Sequence, residues 1–244
     1  MTKKEWFAEW FDTTYYHTLY KHRDDEEAEA FIGRLLTYLN LKKGSKVLDL
    51  ACGKGRHSRT LNSMGMDVIG VDLSQESIRE ASNYTKDGLT FDVHDMREVY
   101  RKQHFEVVFN LFTSFGYFDT LGSNEKVLRS IHEMLTPEGQ LIIDFMNVTK
   151  VVSNLVEKEE KTIDGITFYI NRSYDGHHIK KDIRFHDAGN DFHFTERVQA
   201  LKEADFDLLF KATGFELIRT FGDFSLKPFD NLESDRLIIH AKRI

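Results

Sequence analysis

The first apolar pattern along the chain has the spacing of an amphipathic helix. Between residues 24 and 40, apolar side chains recur at i, i+3, i+4, i+7, i+8 and i+11 and form one stripe: Ala28, Phe31, Ile32, Leu35, Leu36 and Leu39. Four acidic residues, 24–27, open the segment, where the positive end of a helix dipole favours negative charge. The pattern predicts a helix over 24–40 with a solvated, acidic first turn.

From residue 46 to about residue 147, short apolar runs alternate with amphipathic stretches. The runs span 47–50, 68–71, 89–93, 105–111 and 141–145, and the clearest helical spacing between them belongs to Val127, Leu128, Ile131, Met134 and Leu135. Apolar strands separated by helices are typical of a parallel sheet that is covered on both faces. We expect Pro137-Glu138-Gly139 to turn the chain from the last of these helices into the fifth strand.

The pattern changes after a short helix expected at about 149–155. Segments of period-two alternation follow, separated by three dipeptides typical of turns: Asp164-Gly165, Asp175-Gly176 and Gly189-Asn190. They predict an antiparallel meander of about four strands over 158–199, inserted into a main domain of residues 1–157 and 200–244. A helix that ends at Gly214 should follow, with an apolar stripe of Leu201, Ala204, Leu208, Leu209 and Ala212, and then two closing strands at 215–221 and 237–241.

The composition is that of an ordinary globular protein. The 244 residues suffice for one domain with an elaboration, and 41% apolar with 30% charged residues leave ample material for a core. A net charge of −7 argues against a protein that grips nucleic acid by its phosphates or a membrane by a basic patch. Cys52 is the single cysteine, so no internal disulfide can form. Since no apolar signal core or 18-residue apolar run exists, we expect a soluble, cytoplasmic protein.

The chemistry is concentrated in residues 47–57, VLDLACGKGRH, where an apolar strand runs into a Gly-x-Gly turn and then a helix. Glycine lets the backbone turn tightly and approach a ligand, because it has no Cβ. Asp72 ends the next strand, 19 residues after Gly53, where a carboxylate can accept both hydroxyls of a ribose. This order of elements predicts a nucleoside-containing cofactor at the carboxyl edge of a doubly wound sheet.

Two observations separate the candidate cofactors. A dinucleotide fold places a third glycine three residues after the second, and here that position is Ser58. A phosphate-binding loop needs Gly-Lys-Ser/Thr, which Gly53-Lys54-Gly55 does not supply. Asp49, four residues before Gly53, favours instead a cofactor with a positively charged amino-acid end.

At these residues the chain resembles the class I S-adenosylmethionine-dependent methyltransferases. The family's acid-x-Gly-x-Gly-x-Gly motif matches Asp49, Gly53 and Gly55, with Ala51 in place of the first glycine. The segment 135–140, LTPEGQ, resembles the family's connection into strand five. The resemblance implies S-adenosylmethionine as cofactor, with the ribose acid at Asp72, the adenine acid at Asp95, and cofactor-binding roles for Asp49, Ala51, Gly53, Gly55, Asp72, Leu73, Asp95, Met96, Asn110 and Leu111.

The resemblance also implies a fold. Class I members have a Rossmann-like α/β architecture, a seven-stranded, mostly parallel sheet with helices on both faces whose last strand runs antiparallel, and 237–241 suits that strand. Many bacterial small-molecule members place an antiparallel insertion after strand five, and 158–199 is similar to such a lid. Tyr15, Tyr16 and Tyr20 would either fold over the cofactor, as leading helices of the family do, or pack on the sheet edge.

Methyl transfer from a sulfonium is an in-line displacement, so the protein has to align donor and acceptor and exclude water. A base is needed only when the nucleophile arrives protonated with a high pKa. The catalytic residue is therefore unknown from the sequence, and Tyr117 is the candidate. Substrate-binding roles are expected for four residues on the same sheet edge, with core packing as the alternative: Phe112, Phe115, Tyr117 and Asn147.

Other reactive side chains carry ordinary interpretations. The histidines of the insertion, His177, His178, His186 and His193, are read as exposed or hydrogen-bonded side chains in preference to a lid base. Cys52 is read as a small buried filler. Without a cluster at ligand spacing, no metal is expected.

Three functions compete. The first is transfer of a methyl group to a nitrogen or oxygen atom of a small-molecule acceptor. The enzyme would then be a monomer or homodimer without a membrane partner. The second is methylation of protein or nucleic acid. Methyltransferases that act on base amino groups usually carry an Asn/Asp-Pro-Pro-aromatic motif after strand four. Residues 110–113, NLFT, lack its two prolines, which argues against nucleic acid. The third is a non-catalytic S-adenosylmethionine sensor.

Overall fold

The computed structural model describes residues 5–21, 25–118 and 120–244. Within them, eight helices and eleven strands follow one another. The first half contains α1 (Trp6–Trp10), α2 (Thr14–Leu19), α3 (Asp25–Tyr38), β1 (Lys46–Leu50), α4 (Arg56–Ser63), β2 (Asp67–Asp72), α5 (Gln75–Ala81), β3 (Leu89–Val93), β4 (Phe105–Asn110) and α6 (Leu121–Met134). The second half contains β5 (Leu135–Met146), α7 (Val148–Ser153), β6 (Lys158–Ile163), β7 (Ile166–Tyr174), β8 (His178–Asp187), β9 (Asn190–Gln199), α8 (Glu203–Thr213), β10 (Phe215–Phe221) and β11 (Arg236–Arg243).

The main sheet has seven strands in the order β3-β2-β1-β4-β5-β11-β10. Pairing is parallel except at β11, which runs antiparallel to both β5 and β10. Successive residues of a strand point to opposite faces, so Leu48 and Val108 join one apolar cluster while Val47 and Val107 join the other. This arrangement confirms the predicted Rossmann-like sheet, its near-continuous apolar strands and its antiparallel last strand.

The predicted stripe of the first long helix is confirmed. Its apolar positions are buried, with Leu36 only partly so: Ala28, Phe31, Ile32, Leu35 and Leu39. The predicted start at Asp24 lies outside the described residues, and the helix ends at Tyr38, two residues before the expected limit.

The stripe predicted for the last helix is only partly right, since Leu201 and Leu209 are buried but the other three positions are not. Ala204, Leu208 and Ala212 are exposed, and α8 instead buries Phe206, Leu209, Phe210 and Thr213. Two phenylalanines bury more apolar area than one leucine and two alanines, and this larger area sets the rotation of the helix. Gly214 ends the helix as expected, in the left-handed conformation with φ +81°.

The expected turn at Pro137-Glu138-Gly139 is a bulge inside a longer strand. Leu135 already pairs with Phe105, and the register resumes with Gln140 opposite Val107. The extra residues loop out around Glu138, whose φ is +64°. Strand five therefore begins six residues earlier than the apolar run alone predicts.

The insertion forms a second, four-stranded antiparallel sheet in the order β6-β7-β8-β9, as predicted for 158–199. Asp164 and Gly165 turn the first hairpin with positive φ at both residues, whereas the last turn uses Ala188 and Gly189, one residue earlier than expected. One face of this sheet packs on α1 and α2 in an apolar cluster built around Trp10, Leu19, Phe168, Ile170, Ile183 and Phe185.

No helix of the described residues has the length and apolar character needed to cross a membrane.

Candidate active site

A cavity of about 390 Å3 lies at the carboxyl ends of the central strands, beneath α1 and α2. Nine of the residues singled out from the sequence line it: Ala51, Gly53, Asp72, Leu73, Asp95, Met96, Leu111, Phe112 and Tyr117. Five do not: Asp49, Gly55, Asn110, Phe115 and Asn147. The carboxyl edge of the sheet thus brings most of the expected site together.

The turn after β1 leaves open space on its cavity side. Ala51, Gly53 and Gly55 all have positive φ. The left-handed conformation of Ala51 costs about 1–2 kcal/mol, because its Cβ approaches the following carbonyl oxygen. A Cβ built on Gly53 would meet no atom within 4 Å, whereas one on Gly55 would lie 2.5 Å from Cε1 of Phe91. Gly53 therefore leaves room for a ligand, and Gly55 permits close packing between α4 and β3.

Asp72 is fixed at the cavity wall by two backbone donors. The amide of Gly53 donates to Oδ2 at 2.8 Å, and the amide of Ser74 donates to Oδ1 at 2.8 Å. Burial raises the pKa of Asp72, while these hydrogen bonds act in the opposite direction. Each oxygen keeps a second lone pair, so the carboxylate can still accept two ligand hydroxyls.

Asp49 lies beneath the turn and not at the cavity surface. The hydroxyl of Ser58 donates to its Oδ2 at 2.5 Å, and the carboxyl group is 1% exposed. Burial raises the pKa of Asp49 to about 6. Asp49 is thus a buried carboxyl group directly under the glycine turn.

Asp95 offers a carboxylate at the end of β3, next to Met96. Partial burial acts to raise its pKa, but hydrogen bonds from Arg97 outweigh it and hold the pKa below its usual value. Arg97 Nη2 lies 2.6 Å from Asp95 Oδ2 and 2.8 Å from Glu5 Oε2. The same arginine therefore ties the chain just before α1 to the cavity.

Asn110 and Leu111 separate at the end of β4. Leu111 lines the cavity, whereas the fully buried Asn110 donates from Nδ2 to the carbonyl oxygen of Leu50 at 3.0 Å. Asn110 thus joins the ends of β1 and β4 beneath the site.

Two of the expected substrate residues face away from the cavity. Phe115 is 1% exposed and packs on Phe206 with ring centroids 5.6 Å apart. Asn147 caps α7, and its Nδ2 donates to the carbonyl oxygens of Asn231 at 3.0 Å and Ser234 at 2.8 Å. The Phe115 ring is packed inside the protein, and the Asn147 side-chain amide already has hydrogen-bond partners there. The substrate-binding roles predicted for these two residues are therefore not supported.

Two of the N-terminal tyrosines lie at the cavity, and the third packs on the second sheet, a location that was not expected. Tyr16 and Tyr20 line the cavity, while Tyr15 packs on Phe185 of the second sheet and donates to Asp187 Oδ2 at 2.9 Å. Residues not expected from the sequence complete the wall, among them Phe7, Phe11, His17, Arg56 and His57. The i, i+4 spacing of Phe7 and Phe11 was a usable signal, since it places both rings on one side of a helix.

The second sheet is hydrogen-bonded to the N-terminal helices and to the segment after β4. Glu196 of β9 accepts from Trp10 Nε1 at 2.7 Å and from the Tyr20 hydroxyl at 2.8 Å. Gln199, the last residue of β9, donates from Nε2 to the carbonyl oxygen of Phe118 at 2.6 Å. Burial, together with the nearby carboxylate of Glu196, raises the pKa of Tyr20 well above its usual value.

The remaining reactive groups follow the ordinary interpretations. His186 bonds to Asp191 at 2.8 Å and His193 to Asp182 at 3.1 Å, and none of the four insertion histidines lines the cavity. Cys52 is buried, and burial raises the pKa of its thiol. In the described parts of the chain, no three His, Cys, Asp or Glu side chains are grouped to hold a metal.

A family model described as a methyltransferase domain matches residues 41–209, which is more than half of the chain and includes the glycine turn. The chain belongs to the class I S-adenosylmethionine-dependent methyltransferases. Among curated relatives, this methyltransferase is 27% identical over 215 residues to the putative methyltransferase YqeM of Bacillus subtilis, covering 84% of this chain and 86% of that protein. It is 29% identical over 216 residues to a glycine/sarcosine N-methyltransferase of Aphanothece halophytica, covering 83% and 76%.

Solved structures share the fold of this methyltransferase. An S-adenosylmethionine-dependent methyltransferase from Clostridium acetobutylicum superposes with a TM-score of 0.78 at 21% identity, over 94% of this chain and 96% of that one. The S-adenosylmethionine-bound amino pentose methyltransferase CalS10 from Micromonospora echinaspora gives a TM-score of 0.69 at 18% identity, over 95% and 98%. Membership of the family makes S-adenosylmethionine the cofactor. The open space at Gly53 beside the Asp72 carboxylate fits its adenosyl group.

Proposed function

We propose that this methyltransferase transfers a methyl group to a nitrogen or oxygen atom of a small-molecule acceptor. The observation that carries the proposal is the division of the cavity into two unlike sides. Its lining carboxylates, Asp72 and Asp95, lie at or just after the ends of β2 and β3, while aromatic rings from α1, α2 and the segment after β4 form much of the remaining wall. A cofactor held by the carboxylates leaves this mainly aromatic part of the wall for an acceptor.

On the carboxylate side, the proposed contacts follow the strand ends. Asp72 accepts the ribose hydroxyls and Asp95 accepts from the adenine amino group, each through a carboxylate already fixed by neighbouring donors. Leu73 and Met96 pack against the adenine, and Leu111 packs against the methionine chain. Asp49 favours the positively charged end through its charge beneath the turn, and Gly53 leaves the space in which the ligand lies.

On the aromatic side, the protein supplies alignment and a dry environment. The cofactor provides a methyl group bound to a positively charged sulfur, which the acceptor attacks in line with the breaking bond. Phe11 and Tyr117 line the space where such an acceptor would lie, and Phe112, which stacks on His57 of α4, lies where that space meets the cofactor. Aromatic walls exclude water and hold the nucleophile at reacting distance, which supplies much of the rate enhancement for a displacement of this kind.

Tyr117 is the residue to which we assign orientation of the acceptor. Its ring makes an edge contact with Trp6 at 5.4 Å and packs on Phe11 at 5.2 Å, so its position on the cavity wall is fixed by its neighbours. An amine acceptor that arrives neutral needs no base, whereas a hydroxyl acceptor needs one to take its proton. We therefore propose that the Tyr117 hydroxyl orients the acceptor through a hydrogen bond with its nucleophilic nitrogen or oxygen.

We assign the second sheet, residues 158–199, to a lid unit inserted into the domain of residues 1–157 and 200–244. Its support is the pair of contacts through Glu196 and Gln199, which join the sheet to the N-terminal helices and to the 112–118 segment. An acceptor beneath these contacts would be covered on the side opposite the main sheet.

Relatives with named acceptors agree with the proposed class. One methylates glycine or sarcosine on nitrogen, and another, from Streptomyces venezuelae, is an N,N-dimethyltransferase of a dTDP-linked amino sugar at 24% identity over 204 residues. A ubiquinone biosynthesis O-methyltransferase of Psychrobacter cryohalolentis matches over 43% of the chain. These acceptors are small molecules with nitrogen or oxygen nucleophiles.

The proposal can be tested with S-adenosylmethionine labelled in its methyl group. The purified protein is incubated separately with a small-molecule extract, total RNA and total protein, and labelled product is counted in each. We expect label in the small-molecule fraction alone. Label in RNA or protein would contradict the small-molecule assignment, and tight cofactor binding by calorimetry with no labelled product would indicate a sensor.

A further inference from the structure

The segment directly after β4 has a strained backbone. Phe112 and Thr113 have φ of +59° and +60°, two consecutive non-glycine residues in the left-handed region. This conformation carries a steric penalty for any residue with a Cβ, and a β-branched residue such as Thr113 is especially disfavoured there. Strain of this kind persists only where the surrounding structure determines it, and it is concentrated at functional sites.

Two charged residues from neighbouring strands hold this segment. Asp144 of β5 is fully buried, and its Oδ2 accepts from the amide of Phe112 at 2.9 Å, while its carbonyl oxygen accepts from the amide of Thr113 at 2.8 Å. Arg236 of β11 donates from Nε to Asp144 Oδ1 at 2.8 Å and from Nη2 to Thr113 Oγ1 at 2.9 Å. We call this arrangement the Asp144–Arg236 clamp.

The clamp determines where one wall of the cavity lies. The Phe112 ring lines the cavity and stacks on His57 of α4, with centroids 5.0 Å apart and an interplanar angle of 26°. The Arg56 guanidinium lies 4.8 Å from the centroid of the same ring. Through these contacts, Phe112 connects the segment after β4 directly to α4, the helix that follows the glycine turn.

We infer that Asp144 and Arg236 are positioning residues, which hold Phe112–Thr113 in the strained conformation that places the Phe112 ring on the cavity wall. This role rests on the proposed placement of the cofactor in the cavity. Without the clamp, the segment would relax toward ordinary φ values and the binding-competent arrangement would be populated only in part. Apparent affinity falls in proportion to that population.

The experiment measures the affinity of S-adenosylhomocysteine by calorimetry for Arg236→Gln and for the double variant Arg236→Gln with Thr113→Gly. Glycine adopts positive φ without the steric penalty, so it removes the need for the clamp at residue 113. We expect about a tenfold weaker affinity in the single variant and recovery of most of this loss in the double variant.

The matched control is Arg243→Gln, which removes an arginine from the opposite end of the same strand. Arg243 donates to the carbonyl oxygen of Leu135, away from the cavity, and we expect affinity within about twofold of the unaltered protein. If Arg236→Gln does not fold, Arg236→Lys keeps the positive charge near Asp144 but loses the two-pronged contact, and it should bind several-fold more weakly.

Each result decides the assignment. Unchanged affinity in a folded Arg236→Gln or Arg236→Lys variant would overturn it, as would a double variant that binds no better than the single one. Failure of the unaltered protein to bind S-adenosylhomocysteine would instead contradict the proposed cofactor site, and with it the function on which the clamp's role depends.

Discussion

The two sides of the cavity are built in different ways. The carboxylate side comes largely from one stretch of chain: β1, the glycine turn, α4 and β2 bring Gly53 and Asp72 together over 19 residues. The aromatic side is assembled from distant segments, as in the hydrogen bonds of Glu196 to Trp10 and Tyr20, which bridge 186 and 176 residues. The first side is local in the sequence, and the second exists only in the folded protein.

This difference has a functional meaning. A binding surface made by one short segment keeps its geometry when distant parts of the chain vary, which suits a cofactor that all members of the family share. A surface made from α1, α2, the lid and the segment after β4 can change whenever any of these does. With the acceptor placed as proposed, acceptor choice depends on the part of the molecule that sequence motifs describe least.

The largest expected effect is on the carboxylate side. Asp72→Ala should weaken S-adenosylmethionine binding by about 2–4 kcal/mol, because it removes one or two charge-assisted hydrogen bonds to the ribose. Calorimetric titration measures this loss. Asp67→Ala, at the exposed start of the same strand, is the matched control and should leave the affinity unchanged. An unaltered affinity in Asp72→Ala would place the ribose elsewhere.

The next effect is a pH dependence of stability from Asp49. Its pKa is about 6 in the folded protein against 3.8 for the exposed group, so the folded state holds this proton more tightly than the unfolded state. The free energy of unfolding should therefore fall by about 1–3 kcal/mol as the pH rises from about 4 to about 6, because the stabilisation by the protonated group is lost over this range.

Asp49→Asn tests this dependence, because asparagine does not titrate. Urea unfolding of both proteins should show the variant gaining stability relative to the unaltered protein as the pH rises from about 4 to about 6. Parallel pH profiles for the two proteins would contradict the raised pKa of the buried carboxyl group.

The smallest effect concerns the aromatic side alone. Glu196→Gln removes the negative charge of the carboxylate to which both Trp10 and Tyr20 donate. It should lower kcat/KM for the acceptor about tenfold while cofactor affinity stays within about twofold. Asp187→Asn is the control, since it makes the same loss of charge at a carboxylate that accepts from Tyr15 outside the cavity. Equal losses in both variants, or a loss of cofactor affinity in Glu196→Gln, would mean that the two sides are not separable.

The features predictable from the sequence were those set by local patterns. Alternating apolar runs and turn dipeptides identified both sheets, and the glycine turn with Asp72 located the cavity. Phe115 and Leu208 were misplaced because an apolar side chain can pack in more than one direction, and only competition with neighbours such as Phe206 decides. Asn147 was misplaced because its partners, Asn231 and Ser234, lie more than 80 residues away.

The central claim is that the adenosyl group lies at the glycine turn and the acceptor lies on the aromatic side. A crystal structure with S-adenosylhomocysteine tests it most directly. The account predicts both ribose hydroxyls within hydrogen-bond distance of the Asp72 carboxylate, the ligand backbone passing Gly53, and its sulfur directed toward Phe112 and Tyr117. A ligand bound elsewhere, or one whose sulfur points away from the aromatic side, would contradict it.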